Sequence, residues 1–200
     1  MKRENHSVSV KDISKKLAFT ALFAALCCVG TLFIAVPLPN GYFNVGDVFV
    51  LLAGWCMGPL FGAATAGLGS CLADILNGFA LYAPATFLIK ALDAATAYLL
   101  WRAMRLAVKK DGFDVFARGV AAVGGELLMV LGYFAFECLL YGAAGAAASL
   151  AGNAVQGGAC IVLGVALVAV LYHLKSVRGF FSPLAASARL GASRAAKAQK

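Results

Sequence analysis

Long apolar stretches alternate with short connections along this chain of 200 residues. A bilayer core about 30 Å thick needs roughly 20 apolar residues for each helix that crosses it. Six segments qualify, although the second is short: Leu17–Val36, Val45–Met57, Leu60–Leu76, Ala83–Met104, Gly119–Leu140 and Leu150–Leu174. Gly58–Pro59 marks a tight connection between the second and third, because proline is tolerated in the first turn of a helix. The pattern predicts an all-α membrane protein in which six transmembrane helices form one bundle.

Composition supports this prediction. Hydrophobic residues make up 62% of the chain and charged residues 13%, whereas soluble domains are about half apolar and a quarter charged. A soluble enzyme, a disordered regulator and a nucleic-acid-binding module are excluded despite the net charge of +8. The distribution of the basic residues instead indicates how the chain is oriented in the membrane.

Basic residues cluster on one side of the predicted membrane. They precede the first span, crowd the fourth connection and follow the sixth span, whereas Pro37–Asn44, Asn77–Tyr82 and Tyr141–Ser149 contain no Lys or Arg. The positive-inside rule therefore places both termini in the cytoplasm, which requires an even number of helices. The predicted organisation is a cytoplasmic segment at residues 1–16, the membrane domain at residues 17–175 and a basic cytoplasmic tail at residues 176–200. A disordered tail is favoured over an interfacial helix, and the first span is not expected to be a cleaved signal peptide.

The sequence contains little that indicates metal binding or nucleotide hydrolysis. The six cysteines lie in apolar runs without a CxxC pair, and the two histidines, His6 and His173, lie in the flanking regions. Small buried thiols are favoured over a zinc or haem site, so no metal is predicted. The chain also lacks a GxxxxGK[ST] loop, so it does not hydrolyse ATP by the P-loop route.

Polar residues inside predicted spans are costly and therefore indicate function. Counting about 1.5 Å per residue, most of them fall in the outer third of the bundle, with Lys90 roughly 10 Å deep and Glu126 alone in the inner half. The polar residues at membrane depth are Asp47, Asp74, Lys90, Asp93, Glu126, Glu137, Asn153 and Gln156.

Helical spacing places these groups on three stripes that can enclose an outward-facing pocket. The stripes are Lys90 and Asp93 on the fourth helix, Glu126, Tyr133, Glu137 and Tyr141 on the fifth, and Asn153, Gln156 and Cys160 on the sixth. Tyr133 and Tyr141 would stack on a flat ring. With more carboxylates than cations, the pocket should favour a neutral or amine-bearing heterocycle. The alternative is structural, with Lys90 pairing Asp93 or Glu137 to hold the bundle together.

Small residues follow one face of the first helix at Ala18, Ala21, Ala25 and Cys28. Such a stripe lets helix backbones approach closely in lipid. The pattern alone fits internal packing and a partner protein equally well.

Several motifs resemble a known family. They are Phe43-Asn44-Val45-Gly46-Asp47, Gly58-Pro59, Gly67-Leu68-Gly69-Ser70-Cys71-Leu72-Ala73-Asp74 and Tyr82-Ala83-Pro84-Ala85-Thr86-Phe87 leading to Lys90. They resemble the substrate-specific S components of energy-coupling factor (ECF) transporters, and the similarity covers about Lys15 to Tyr172.

The resemblance implies six helices with both ends cytoplasmic, in a prokaryotic cytoplasmic membrane. It implies capture of a vitamin from outside, without enzymatic activity or a bound cofactor, and a complex with a membrane T component and two ATPases that hydrolyse ATP. Ala18, Ala21 and Ala25 would then contact the T component. The family site combines the first external loop with helices four to six. The predicted substrate-binding residues are Asn44, Asp47, Lys90, Asp93, Tyr133, Glu137, Tyr141, Asn153 and Gln156.

Other interpretations remain open at this point. A small secondary transporter would use Glu126 or Glu137 as a proton-linked carboxylate. An intramembrane enzyme would need a core histidine, a metal cluster or a serine–base pair, which the sequence lacks. The sequence does not choose between a flavin, a pyrimidine or pyridoxine-like ring, and thiamine.

Overall fold

The computed structural model describes residues 10–108, 113–174 and Phe181. Five helical elements and one β-hairpin make up this part of the chain. In chain order they are α1 (Val10–Phe33), β1 (Val36–Leu38), β2 (Gly41–Phe43), α2 (Gly46–Met57), α3 (Pro59–Leu76), α4 (Ala83–Ala107) and α5 (Phe113–His173).

The helices form one bundle in which α3 packs against α1, α2 and α4, while α5 packs against α4 and α2. Four of the described helices are long and apolar enough to cross a membrane, and α2 is the shorter exception. Leucine and valine side chains cover the outside of the bundle; Leu60 and Leu139, for example, are 76% and 85% exposed. A bundle with this surface is suited to lipid, so the chain is a multi-pass membrane protein.

Helix α2 is enclosed by its neighbours, and ten of its twelve residues are buried. Gly54 allows α4 to come close, because a Cβ at this position would overlap the carbonyl oxygen of Ala94. The close approach brings the start of α2, which carries Asp47, beside the part of α4 that carries Lys90. The packing of small residues thus determines where two buried charges meet.

The β-hairpin was not predicted from the hydrophobic pattern. Strand β1 pairs with β2 in antiparallel register, with Val36 opposite Phe43 and Leu38 opposite Gly41. Pro39 and Asn40 form the two-residue turn, a position at which proline's fixed φ is favourable. The first connection is therefore an ordered hairpin, and the all-α prediction lacked this element.

The predicted connection Tyr141–Ser149 is wrong. The two last predicted spans are arms of α5, at residues 113–141 and 143–173, and only Gly142 departs from helical geometry, with φ 73° and ψ 168°. The alanines after Gly142 favour helix, whereas the positive φ at the break suits glycine. The number of separate spans and the orientation of the termini stay predictions.

The proposed domain boundaries fall partly outside the described residues. Helix α1 begins at Val10, seven residues before the predicted Leu17, so part of the predicted N-terminal segment is helical. Residues 1–9, 175–180 and 182–200, which include nearly all of the predicted tail, lie outside the described part. Phe181 packs edge-on against Phe19, with ring centroids 5.0 Å apart, and against Phe23.

Candidate functional site

A small polar pocket lies under the β-hairpin, at the end of the bundle whose connections contain no Lys or Arg. Its walls are the hairpin, the end of α3 with the connection that follows it, the start of α4 and both arms of α5. The lining residues are Asn40, Gly41, Tyr42, Asn44, Asp74, Phe79, Tyr82, Thr86, Tyr133, Glu137, Asn153 and Gln156. Its volume of about 40 Å³ holds roughly three water molecules, so the pocket must widen before a vitamin-sized ligand can bind.

Three hydrogen-bonded contacts hold the hairpin over the pocket. The Tyr42 hydroxyl donates to Asp74 Oδ1 at 2.6 Å, and Asn40 Nδ2 donates to the Gly145 carbonyl oxygen at 2.7 Å. The backbone N–H of Asn44, directly after β2, donates to Gln156 Oε1 at 2.9 Å. Burial raises the pKa of the Tyr42 hydroxyl above its usual range, so this group keeps its proton for Asp74.

Aromatic rings form one side of the pocket. Phe79 lies 5.1 Å from the Tyr42 ring and 6.1 Å from the Tyr82 ring, measured between centroids. The Tyr133 hydroxyl shares a 3.0 Å hydrogen bond with Thr86 Oγ1. Aromatic rings with polar tips suit a flat heterocycle that carries hydrogen-bonding groups at its edge.

The lining is acidic and amide-rich. Glu137 is buried and accepts from Asn40 Nδ2 at 3.4 Å, and its Oε1 atom lies 3.5 Å from the Tyr82 hydroxyl. Within the described residues, the Asn153 side chain faces the pocket without a protein hydrogen-bond partner. Asp74 and Glu137 contribute carboxylates, and the lining contains no Lys or Arg. Such a surface is unfavourable for an anionic ligand.

The predicted residues Asp47 and Lys90 lie behind the lining, not in it. Both are buried, and Lys90 Nζ pairs with Asp47 Oδ1. The alternative pairing of Lys90 with Asp93 or Glu137 is therefore wrong, because α2 brings Asp47 to the lysine across the helix interface. The Lys90 ammonium also lies 5.3 Å from the centre of the Tyr133 ring, a cation–π contact.

Two further predicted groups stand apart from the pocket wall. Asp93 is buried and does not line the pocket; in the described part of the chain, neither its oxygens nor those of Glu126 have a hydrogen-bond partner. Tyr141 is 47% exposed, and its hydroxyl lies 3.4 Å from that of Tyr82 at the rim. The residues that the structure brings together in the lining are thus Asn44, Tyr133, Glu137, Asn153 and Gln156.

Seven lining residues were absent from the predicted substrate-binding set: Asn40, Gly41, Tyr42, Asp74, Phe79, Tyr82 and Thr86. A sequence signal existed for some of them. Pro39-Asn40-Gly41 is a turn sequence, which would have indicated a hairpin and placed Tyr42 in it. Tyr82 and Thr86 belong to the motif that leads to Lys90, and one turn of helix separates each from the next.

The small-residue stripe of α1 lies on the surface of the bundle. Ala18, Ala21 and Ala25 are exposed, whereas Cys28 is buried. Ala21 and Ala25 line a shallow apolar groove whose other wall is α3, including Gly69 and Leu72. Internal packing therefore leaves these three alanines available to another surface.

The fold and the site together define a helical membrane protein with a small polar pocket under a hairpin. The sequence profile of the ECF-type riboflavin transporter S component family matches residues 11–173. The chain belongs to this family, which confirms the resemblance found in the sequence motifs. It is accordingly a substrate-binding S subunit, and its family is one of transporter components and not of enzymes.

Two individual proteins are also similar to this chain. A Pyrococcus woesei protein described as "Uncharacterized protein in gap 3'region" is 31% identical over 153 residues, which cover 72% of this chain and 92% of the relative. A solved structure of the S component of a bacterial ECF transporter superimposes with a TM-score of 0.58 at 19% identity, covering 80% of this chain and 96% of that one. At this identity, the structural match supports the fold.

Proposed function

We infer that this chain captures riboflavin from outside a prokaryotic cell and delivers it to an ECF transport complex in the cytoplasmic membrane. The observation that carries this proposal is the aromatic, amide-rich pocket at the end of the bundle whose connections lack Lys and Arg. The positive-inside rule assigns that end to the exterior. The family match across residues 11–173 favours riboflavin among the ligands left open by the sequence.

The chemistry of riboflavin fits the lining. Its three-ring system is flat and uncharged, with amide-like edges and a polyol chain that both donate and accept hydrogen bonds. Phe79 and the tyrosines offer ring surface, while Asn153 and Glu137 offer directional polar groups. Since the hairpin covers the pocket and the free volume is about 40 Å³, binding requires the hairpin to move outward and then close over the ligand.

The energy for uptake would come from partner subunits. A membrane T component and two ATPases complete transporters of this kind, and the chain itself contains no P-loop sequence. The exposed alanines of α1 are the proposed contact with the T component, because small residues permit close helix packing in lipid. The chain then needs no cofactor of its own.

Titration of the purified subunit with riboflavin, its 5′-phosphate, thiamine and pyridoxine tests the ligand. We expect riboflavin to bind at least about tenfold more tightly than the phosphate ester, because a phosphate would be desolvated beside Asp74 and Glu137. Thiamine and pyridoxine should not compete. Tight binding of either one, with no binding of riboflavin, would contradict the assignment.

Cysteine labelling in intact cells tests the orientation. In a background lacking the six native cysteines, Pro39→Cys and Ala144→Cys are expected to react with a membrane-impermeant maleimide from outside, since both positions are exposed at the pocket end. Lys110→Cys should react only after permeabilisation. The opposite labelling pattern would show that the pocket faces the cytoplasm.

A further inference from the structure

A chain of hydrogen bonds runs from the buried ion pair to the hairpin. Asp47 accepts with both oxygens, from Lys90 Nζ on Oδ1 and from Gln156 Nε2 at 2.6 Å on Oδ2. All three side chains are buried. A buried carboxylate with two charge-assisted or strong donors is held in one orientation.

The chain continues through Gln156 to Asn44. Gln156 Oε1 accepts from the backbone N–H of Asn44 at 2.9 Å and from its Nδ2 at 3.2 Å. Asn44 Oδ1 in turn accepts from the backbone N–H of Gly46 at 2.9 Å. Asn44 is thereby held at the point where β2 ends and α2 is about to begin.

The direction of these hydrogen bonds depends on Asp47. A carboxylate only accepts, so the amide nitrogen of Gln156 must face it and the amide oxygen must face Asn44. The Asn44 backbone N–H can only donate, and it requires that oxygen. One charge behind the pocket therefore determines which end of the Gln156 amide meets the hairpin.

We propose that Asp47 is a positioning residue that holds the hairpin closed over the ligand through Gln156 and Asn44. Lys90 keeps Asp47 in place, and neither residue lines the pocket. The consequence for ligand affinity rests on the proposed function, whereas the consequence for the hairpin does not. Loss of the correct amide orientation should loosen the hairpin and speed ligand release.

Asp47→Asn tests the role at nearly constant shape. The substituted side chain accepts from Lys90 with its amide oxygen and presents its amide nitrogen to Gln156. Gln156 then turns its oxygen towards position 47 and its nitrogen towards the Asn44 donors, so two donors face each other. We expect riboflavin affinity to fall about tenfold or more, the effect of losing a buried hydrogen bond, and amide hydrogen exchange across residues 40–46 to accelerate.

A second substitution should reverse the defect. In Asp47→Asn/Gln156→Glu, one oxygen of the new carboxylate accepts from the new amide at position 47 and the other accepts from Asn44, while one negative charge still lies near Lys90. Gln156→Glu alone places two carboxylates against each other across a 2.6 Å contact and should weaken binding as well. We expect the riboflavin affinity of the double variant to lie within about threefold of that of the unmodified protein. On a logarithmic scale, this remaining loss is less than half of the tenfold loss expected for a single buried hydrogen bond.

Asp114→Asn is the matched control. It removes a buried carboxylate from the ion pairs with Arg105 and Arg118, which belong to a separate cluster. Hairpin exchange should stay unchanged in this variant. The positioning role would be overturned if the double variant bound riboflavin no more tightly, and its hairpin exchanged no more slowly, than in the more strongly affected single variant. Loss of the Lys90–Asp47 ion pair alone would then explain the data. If the unmodified protein does not bind riboflavin, the proposed function fails, and the exchange measurements still decide the role of Asp47.

Discussion

Replacing Ala25 with tryptophan is expected to abolish ATP-driven riboflavin uptake while leaving riboflavin binding by the isolated subunit within about twofold of its normal affinity. Ala25 is exposed in the groove between α1 and α3 and is remote in sequence from every lining residue of the pocket. An indole there would hold a partner helix several ångströms away from a surface made for close approach. Ala21→Trp should act in the same way. Uptake into proteoliposomes and co-purification of the T component and ATPases measure the effect.

Ala135→Trp provides the matched comparison, because Ala135 is also an exposed alanine in a long apolar helix but lies on α5. This variant should retain both uptake and complex formation. Equal loss in all three variants would indicate general damage to membrane packing. Full uptake by Ala21→Trp and Ala25→Trp would show that α1 does not bind the partner.

Substituting the polar groups of α5 that face the pocket is expected to weaken riboflavin binding by about ten- to a hundredfold. Asn153→Ala removes an amide that has no protein partner within the described residues and is therefore available to the ligand. Glu137→Gln replaces an acceptor of Asn40 and removes the negative charge near Tyr82. Isothermal titration of each variant measures the loss.

Glu126→Gln separates a pocket effect from an effect deeper in the bundle. Glu126 is buried but is not part of the lining, so its substitution should cost less affinity than either change above. If Glu126→Gln were the most damaging, the ligand would lie deeper than the described pocket. Uptake driven by a proton gradient without the ATPases would then become the better explanation, since Glu126 would be the carboxylate that carries the proton.

The sequence predicts helix positions well because hydrophobic length is imposed by the bilayer and does not depend on neighbours. Helix α3 begins one residue before its predicted start and ends at the predicted residue, Leu76. The prediction failed where hydrophobic length was not the deciding factor. Gly142 and the alanines after it were predicted to form a loop, although only this glycine has non-helical backbone angles.

The sequence predicted how deep in the bundle the polar residues lie, but not which charged residues pair with each other. Helical periodicity placed Glu137, Asn153 and Gln156 on inward faces at one end, and all three line the pocket. The partner of Lys90 depends on how closely α2 approaches α4, which is determined by Gly54 and Ala94 in three dimensions. Asp93 shares a helix face with Lys90, and neither residue is part of the lining.

The shortness of α2 has a consequence for how the protein is made. Twelve residues span about 18 Å, which is less than the hydrocarbon thickness of about 30 Å, and the helix begins with a carboxylate at Asp47. Such a segment is a poor substrate for the insertion machinery by itself. It should enter the bilayer together with α3, joined through Gly58–Pro59, and its aspartate has no counter-charge until Lys90 emerges from the ribosome. During synthesis, the segment from α1 to α3 therefore inserts first, and α2 reaches its final packing only after α4 has been made. A ribosome that stalls before α4 should leave α2 exposed to quality-control proteases.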